Sequence, residues 1–486
     1  MDRQASALLN PARHSVLRQL IDGEWVDGQG PRIGVRDKYT LKDFAELTQA
    51  DVAQVRRAVD VAHAAFRRGV PAPYERGVVL ERAAALLEAR SDEFVRAMQR
   101  EAGFTQSDAA GEVRRCLQTL KLSADEARRL AGDVIPLGGA PGAAGRIGFT
   151  IRVPLGVVAA ITPFNSPLNT VTHKVAPAFA AGNAVVLKPS THTPLTACLL
   201  AEVLLEAGMP KGFHNVLHGS GEVVRWLQAD ERVRFFAFTG STEVGRLIQQ
   251  AAGLRRTQME LGSIACTILC EDARLDAALP KIVNAGFRKA GQVCTSVQLL
   301  LVHESLQAEV ENRLATMVQA LPYGDPSDGK TFVGPVISED AAIRIEAWIE
   351  QAVAAGAKRL AGGPRQGAVV PPTLLTNLRD DMRVSCSEIF GPVVCVLPFK
   401  TLEQAIARVN ATPFGLATGI FTHQLDEAFA AAHQLEVGGV HVNETSSSRV
   451  DLMPYGGSKD SGFGREGPRY AVHEMTEERV VTFTMN

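Results

Sequence analysis

Between residues 50 and 130, apolar positions recur at helical spacing. ADVAQVRRAVDVAHAAFRR and VVLERAAALLEARSDEFVRAM each keep them on one face, which predicts amphipathic helices. A glycine-rich break, GGAPGAAGRIGF over residues 138–149, ends that series. GFTIRV then alternates as an exposed strand does. VVAAI is a continuous apolar run, the pattern of a strand buried on both faces. From there strand-like and helix-like stretches take turns: VTHKVAPAFAAG, AVVLKPS, PLTACLLAEVLLEAG, HNVLHG, GEVVRWLQA, VRFFAFTG and TEVGRLIQQAAG. That alternation predicts a parallel, doubly wound sheet. A second series starts near Asn284 and runs to about Val442 through LLLVHE, HESLQAEVENRLATMVQAL, PVVCVLPF, TLEQAIARVN and ATGIFT. Two α/β sheets, one per half, predict a ligand cleft between them. GFTIRV reads as a free sheet edge, and such an edge invites pairing with another chain.

Composition narrows the class. A chain of 486 residues is too long for one simple core. Its 46% hydrophobic and 21% charged residues are ordinary for a soluble globular protein. Lys+Arg 51 against Asp+Glu 53 argues against a nucleic-acid partner. MDRQASALLNPARHS holds no signal-like apolar segment, and no apolar run approaches the ~18 residues of a spanning helix. No membrane partner and a cytoplasmic setting are expected. The cysteines, Cys116, Cys198, Cys266, Cys270, Cys294, Cys386 and Cys395, are odd in number and irregular in spacing, which argues for reduced thiols. Cys266 and Cys270 lack a second pair at finger spacing, so strand or core packing is expected there and no metal.

Five stretches carry candidate chemistry. KAGQVCTSV, residues 289–297, sets Cys294 between a flexible glycine and two hydroxyl residues; most free cysteines are buried and inert. In VRFFAFTGSTEVGRLI an apolar strand ends at Phe238, Thr239 and Gly240 turn, and a helix opens at Ser241 or Thr242. Free N–H groups there suit a phosphate, though an ordinary capped strand–turn–helix reads the same and the spacing is not G-x-G-x-x-G. Lys188 and Ser190 in AGNAVVLKPST lie at the carboxyl end of a strand, where open α/β sheets bind ligands; a solvated lysine is the alternative. Asn165 in ITPFNSPLN is a turn residue or an oxyanion donor, the latter worth ~3 kcal/mol in a transition state. Glu260 in QMELGS is a solvent-facing strand glutamate or a base with a raised pKa.

Taken together, PFNSPLN, LKPS, FTGSTEVG, MELGS, GQVCTS, EIFGPV with Glu388, and VNE with Asn443 follow the order of the aldehyde dehydrogenase superfamily. PYGGSKDSGFGREG, residues 454–467, resembles that superfamily's C-terminal signature, and the resemblance spans about residues 20 to 482. It implies that Cys294 is the nucleophile, adding to an aldehyde as a thiohemiacetal. Asn165 and the Cys294 N–H would hold the oxyanion. Hydride would leave for a nicotinamide, and Glu260 would activate water to hydrolyse the thioester. A soft thiolate suits this chemistry because its thioester stays electrophilic. The implied cofactor contacts are Thr162, Pro163, Phe164, Lys188, Ser190, Thr191, Gly221, Phe238, Thr239, Gly240, Ser241, Leu261, Glu388 and Phe390. Many NAD-preferring members carry a glutamate where this chain has Thr191, so NADP is expected to be accepted, with NAD as the other cofactor. Glu260 favours hydrolysis over acyl transfer; an acyl-transferring or esterase-like enzyme using the same cysteine is the alternative.

ETSSSRVDLMPYGG, EVRRCLQTLKLSADEA and PFNSPLNTVTHKVAPA resemble the lactaldehyde, non-phosphorylating glyceraldehyde-3-phosphate and phosphonoacetaldehyde dehydrogenases. Members acting on phosphorylated or phosphonate aldehydes often carry an arginine where this chain has Val293, which speaks against a phosphate-bearing substrate. Arg115, His173 and Arg449, beside Val293 and Thr295, are the residues expected near a polar or anionic tail, although Arg115 equally suits a helix cap or a local ion pair. The expected substrate is a short hydroxy-aldehyde or semialdehyde such as lactaldehyde. The resemblance implies two doubly wound Rossmann-like α/β domains and a small β arm. The cofactor domain would take residues 1–133, 155–261 and 445–468, the catalytic domain 262–444, and an oligomerisation arm 134–154 and 469–486. A homodimer or homotetramer is expected.

Overall fold

Four helices do follow from the first amphipathic series: Val52–Arg68, Pro73–Ala89, Ser91–Ala102 and Gln106–Arg129. The first opens on a capping box, with Asp51 accepting from the Gln54 N–H at 2.8 Å and the Gln54 side chain returning to the Asp51 N–H. Val55, Ala58, Val59, Ala62 and Ala65 form its buried stripe. The computed structural model describes residues 15–485. The first 14 residues of the expected cofactor domain and Asn486 of the expected arm lie outside the described residues.

The first sheet has eight strands, in the order Gly462–Phe463, Arg256–Glu260, Val233–Thr239, Val157–Ile161, Ala184–Lys188, His214–Val216, Gln19–Ile21 and Glu24–Val26. The five strands from Arg256–Glu260 to His214–Val216 are parallel. Chain order runs outward from Val157–Ile161 in one direction, then resumes on its other side, so a switch point lies beside that strand. The register aligns Ile161 with Lys188 and Phe238, and Thr239 with Glu260. The loops after those strands therefore open on one edge, where open α/β sheets bind ligands.

The second sheet runs Lys358–Ala361, Thr373–Thr376, Val393–Phe399, Leu299–His303, Cys266–Leu269, Ala417–Phe421 and Gly439–Val442. This second series begins at Cys266, not near Asn284, which lies inside the helix Leu275–Phe287. Cys266–Leu269 is four residues long and wholly buried, so it shows neither alternation nor length to mark it. Each of the two large sheets has its own apolar cluster. All seven cysteines are free thiols. Among the described residues no helix is long and apolar enough to cross a membrane.

The third sheet corrects one expectation. GFTIRV belongs to the strand Arg146–Pro154, which is central rather than an edge. Thr476–Thr484 pairs along its whole length, from Thr476 against Pro154 to Thr484 against Arg146, and Val134–Ile135 pairs on the other side. Alternation reports an exposed face; it carries no information about which strands flank it. The outer strands are Thr476–Thr484 and the short Val134–Ile135. The helix Pro468–Glu474 buries Val472, with Met475 just beyond it, in the first core.

Candidate active site

A cavity of about 600 Å³ opens between the two large sheets. Cys294, Glu260 and Asn165 all line it. Cys294 lies in the loop between the 3-10 turn Arg288–Gly291 and the strand Leu299–His303. Lys289, Ala290 and Gly291 take successive left-handed conformations, φ 51°, 53° and 68°. A Cβ at Gly291 would lie 2.0 Å from the Gly391 carbonyl oxygen, so only glycine lets the loop approach that closely. The Ser296 hydroxyl ties the loop back to the carbonyls of Ala285 and Gly286 at 2.9 and 3.1 Å.

The Cys294 sulfur has two partners. It donates to Glu260 Oε1 at 3.3 Å and meets the Tyr455 hydroxyl at 2.9 Å. Glu260 ends its strand at 4% exposure, and the Thr239 hydroxyl donates to its Oε2 at 3.1 Å. Burial, reinforced by the nearby Glu466 carboxylate, pushes the Glu260 carboxyl up to about 7. Burial, and then Glu260, likewise raises the Cys294 thiol. The pair is thus a thiol hydrogen-bonded to a buried carboxylate, the juxtaposition that a nucleophile and its base require.

Behind Glu260 lies a buried chain of charges. Glu466 accepts from Lys174 and from Arg449, both at 2.9 Å. Burial alone would raise the Glu466 carboxyl; Lys174 and Arg449 outweigh it and hold it well below its usual range. Arg449 reaches His173 at 3.2 Å, His173 reaches Asp451 at 2.9 Å, and Arg115 grips Asp451 at 2.7 and 3.3 Å. A second buried pair, Lys289 with Glu112 at 2.7 Å, braces the Asn165 loop. Lys289 donates to the Asn165 carbonyl at 3.2 Å, and Glu112 accepts from the Asn169 N–H at 2.9 Å.

On the other side of the sulfur the cavity is lined by Pro163, Phe164, Thr239, Gly240, Ser241, Leu261, Glu388 and Phe390. Phe164 stands edge-on to Phe390 with centroids 5.8 Å apart. Glu388 Oε1 accepts from the Ser263 N–H at 3.0 Å, and burial pushes its carboxyl up to about 7. Ser241 caps the helix Thr242–Ala252 at the end of a parallel strand, so first-turn N–H groups face this edge. Lys188 is half-buried at the end of Ala184–Lys188, two strands along, and pairs with no carboxylate among the described residues. An ammonium and a helix N-terminus along one sheet edge, with the Glu388 carboxylate brought into the cavity from the second sheet's side, fit a dinucleotide's hydroxyls and phosphates.

A model of the aldehyde dehydrogenase family matches residues 25–481. The chain belongs to that family. It is accordingly an oxidoreductase that oxidises a small aldehyde with NAD(P). A relative from Priestia aryabhattai named 3-sulfolactaldehyde dehydrogenase is 45% identical over 466 residues, covering 96% of this chain and 97% of the relative. Aldehyde dehydrogenase 21 from Physcomitrella patens, solved in complex with the reaction product succinate, superposes with a TM-score of 0.94 at 38% identity, over 97% of this chain and 98% of that one. NADP-dependent glyceraldehyde-3-phosphate dehydrogenase from Bacillus halodurans C-125, solved with NADP, superposes at 0.94 with 33% identity, over 97% and 99%.

Not every residue singled out in this aldehyde dehydrogenase meets the cavity. Thr162, Lys188, Ser190, Thr191 and Gly221 lie outside its lining. The first four follow the two central strands, and Gly221 opens the helix Gly221–Ala229. Phe238 is a core residue of its strand at 4% exposure, its ring packed beneath Gly240. Arg115, Val293, Thr295 and Arg449 line the cavity, but His173 does not. The His173 ring is 1% exposed and spent on Asp451 and Arg449, because its helix is buried all round. Arg115 is neither a cap nor in a local pair; its carboxylate lies 336 residues away.

Residue patterns left several lining residues unmarked, Arg288, Ser447 and Tyr455 among them. Arg288 donates to the Ser447 hydroxyl at 2.7 Å and makes no ion pair among the described residues. It directly follows the helix Leu275–Phe287, which itself carries Asp276, Lys281 and Asn284, so its residue type alone did not mark it.

Proposed function

We propose that this aldehyde dehydrogenase oxidises a short aldehyde whose far end is anionic, a hydroxylated sulfonate or a semialdehyde carboxylate, and that it accepts NADP. The observation that carries this is Arg288. It is a guanidinium with no ion pair among the described residues, facing the cavity that holds Cys294, with the Ser447 hydroxyl beside it. Arg115 and Arg449 line the same space, but Asp451 and Glu466 already occupy them. The 3-sulfolactaldehyde relative and the succinate complex support the reading.

In this scheme Glu260 takes the Cys294 proton and the thiolate adds to the carbonyl carbon. The Asn165 amide and the Cys294 N–H hold the oxyanion. The carbonyl re-forms as a thioester when hydride departs. Bound nicotinamide supplies the hydride acceptor. Lys188, Ser241 and Glu388 would hold the dinucleotide, and neutral Thr191 leaves room for a 2′-phosphate. Glu260 releases that first proton to solvent and, again a carboxylate, takes one from water as the water oxygen adds to the thioester. The carbonyl re-forms, the sulfur leaves as thiolate and recovers the proton from Glu260, and the acid departs. Its reach to the sulfur supports hydrolysis over acyl transfer.

The test is a panel of 3-sulfolactaldehyde, succinic semialdehyde, lactaldehyde and propionaldehyde, each with NADP and NAD. A charged hydrogen bond contributes about 1.5–3 kcal/mol, so Arg288→Met is expected to raise KM for the anionic members roughly 10- to 100-fold. Propionaldehyde should barely respond. Equal effects on all four aldehydes would remove Arg288 as the anion's partner, and kcat/KM with NADP far below that with NAD would remove the cofactor reading.

The same proposal divides the chain into a cofactor domain around the first sheet, a catalytic domain over residues 262–444 and an arm on the third sheet. It makes the enzyme a homodimer or homotetramer. Val134, Ile147, Val480 and Phe483 are apolar yet exposed on that small sheet, and Thr476–Thr484 offers a strand edge. Light scattering should return two or four times 52.1 kDa. A chain ending at Met475 should return a smaller assembly; a monomeric full-length enzyme would end the idea.

A further inference from the structure

We infer that Tyr455 is a catalytic residue whose hydroxyl donates a hydrogen bond to the Cys294 sulfur, stabilising the thiolate both as it attacks and as it leaves. This rests on Cys294 being the nucleophile. The hydroxyl lies 2.9 Å from the sulfur, with Glu260 Oε1 at 3.3 Å from the same atom. The thiol has one proton and Glu260 is its better acceptor, so the phenolic O–H is left to donate to the sulfur lone pair. Once Glu260 holds the proton, that contact becomes a charge-assisted hydrogen bond, the stronger kind. On acylation the sulfur loses its charge and the bond weakens. The stabilisation therefore acts on the thiolate rather than on the thioester.

The surroundings keep Tyr455 in this role. Its backbone is pinned both ways to Glu466, N–H to carbonyl at 3.1 Å and carbonyl to N–H at 2.7 Å. The side chain is 6% exposed. The Arg449 guanidinium covers its ring at 3.7 Å, drawing electron density from the phenol and improving the donor. Burial, then Cys294 and Glu260, push the phenol well above its ordinary value, so it keeps its proton.

The test is the pH profile of Cys294 alkylation by iodoacetamide, read on the Cys294 peptide by mass spectrometry. Charged groups facing the sulfur are Glu260, from the strand end, Arg449, from the C-terminal segment, and Arg288, from the helix end. Lys174 and Glu466 act on it through Glu260. All five remain in Tyr455→Phe. That variant should shift the alkylation midpoint up by about one pH unit and slow alkylation near pH 7.5 roughly tenfold. Its kcat should fall by a similar factor at constant KM. 3-Fluorotyrosine placed at position 455 keeps the shape and sharpens the donor, so its midpoint should move down. Profiles that overlay the unmodified enzyme's in both proteins would overturn the inference. Failure of the underlying reading is distinct: Cys294→Ala would then still turn over.

Discussion

Cys294→Ala is expected to lose at least about 10⁴-fold in kcat with every aldehyde, since removing the nucleophile from a set of groups that act as a unit forfeits nearly all that the set contributes. No other cysteine can substitute. Cys116, Cys198, Cys266, Cys270 and Cys395 are buried, and Cys386 is exposed but absent from the cavity lining. NADP binding should survive, because the strand-end and helix-end groups that would hold the dinucleotide do not pass through the sulfur. Reduced-nicotinamide formation at saturating aldehyde, with cofactor affinity measured separately by calorimetry, checks both halves. Turnover within tenfold of the parent would mean that carbonyl chemistry proceeds without a thiohemiacetal.

Glu260→Gln is expected to separate the two half-reactions. General bases contribute typically 10² to 10⁴-fold, so steady-state turnover should fall by about 10³. A first equivalent of reduced cofactor should still form, followed by a stalled thioester detectable by mass. That burst should be slow at neutral pH and recover as alkali ionises Cys294 unaided. The sign of the pH dependence follows from the raised carboxyl. With Glu260 pushed up to about 7 by burial and Glu466, it is protonated and idle below that pH and competent above it. Hydrolysis in the parent should therefore climb as pH rises through about 7, and the glutamine variant should lose that limb. Linear turnover at the parental rate would remove Glu260 as the base.

Much of the scaffold is readable because buried parallel strands leave unbroken apolar runs. VVAAI and AVVLK each became a strand of the first sheet. Where local pattern stops carrying information, reading stopped too. GFTIRV alternates between apolar and polar residues, and that says nothing of the nine-residue partner strand Thr476–Thr484. His173 sits on a helix buried on every side, so no periodicity shows which face meets the cavity. Tyr455 reaches Cys294 across 161 positions, a proximity no spacing rule encodes. Arg288 follows a helix that already carries Asp276 and Lys281 and precedes Lys289, so its charge did not stand out.

The buried chain of charges behind Glu260 also constrains how the enzyme is made. Lys174, Arg115 and His173 emerge early from the ribosome, whereas Asp451 and Glu466, which neutralise or orient them, come near the end. Unpaired charges are strongly disfavoured in a protein interior. The first half can collapse onto its sheet during translation but cannot close around these groups until the C-terminal segment docks. An incomplete chain would carry Cys294 and Glu260 without Tyr455 and without the Glu466 carboxylate behind them.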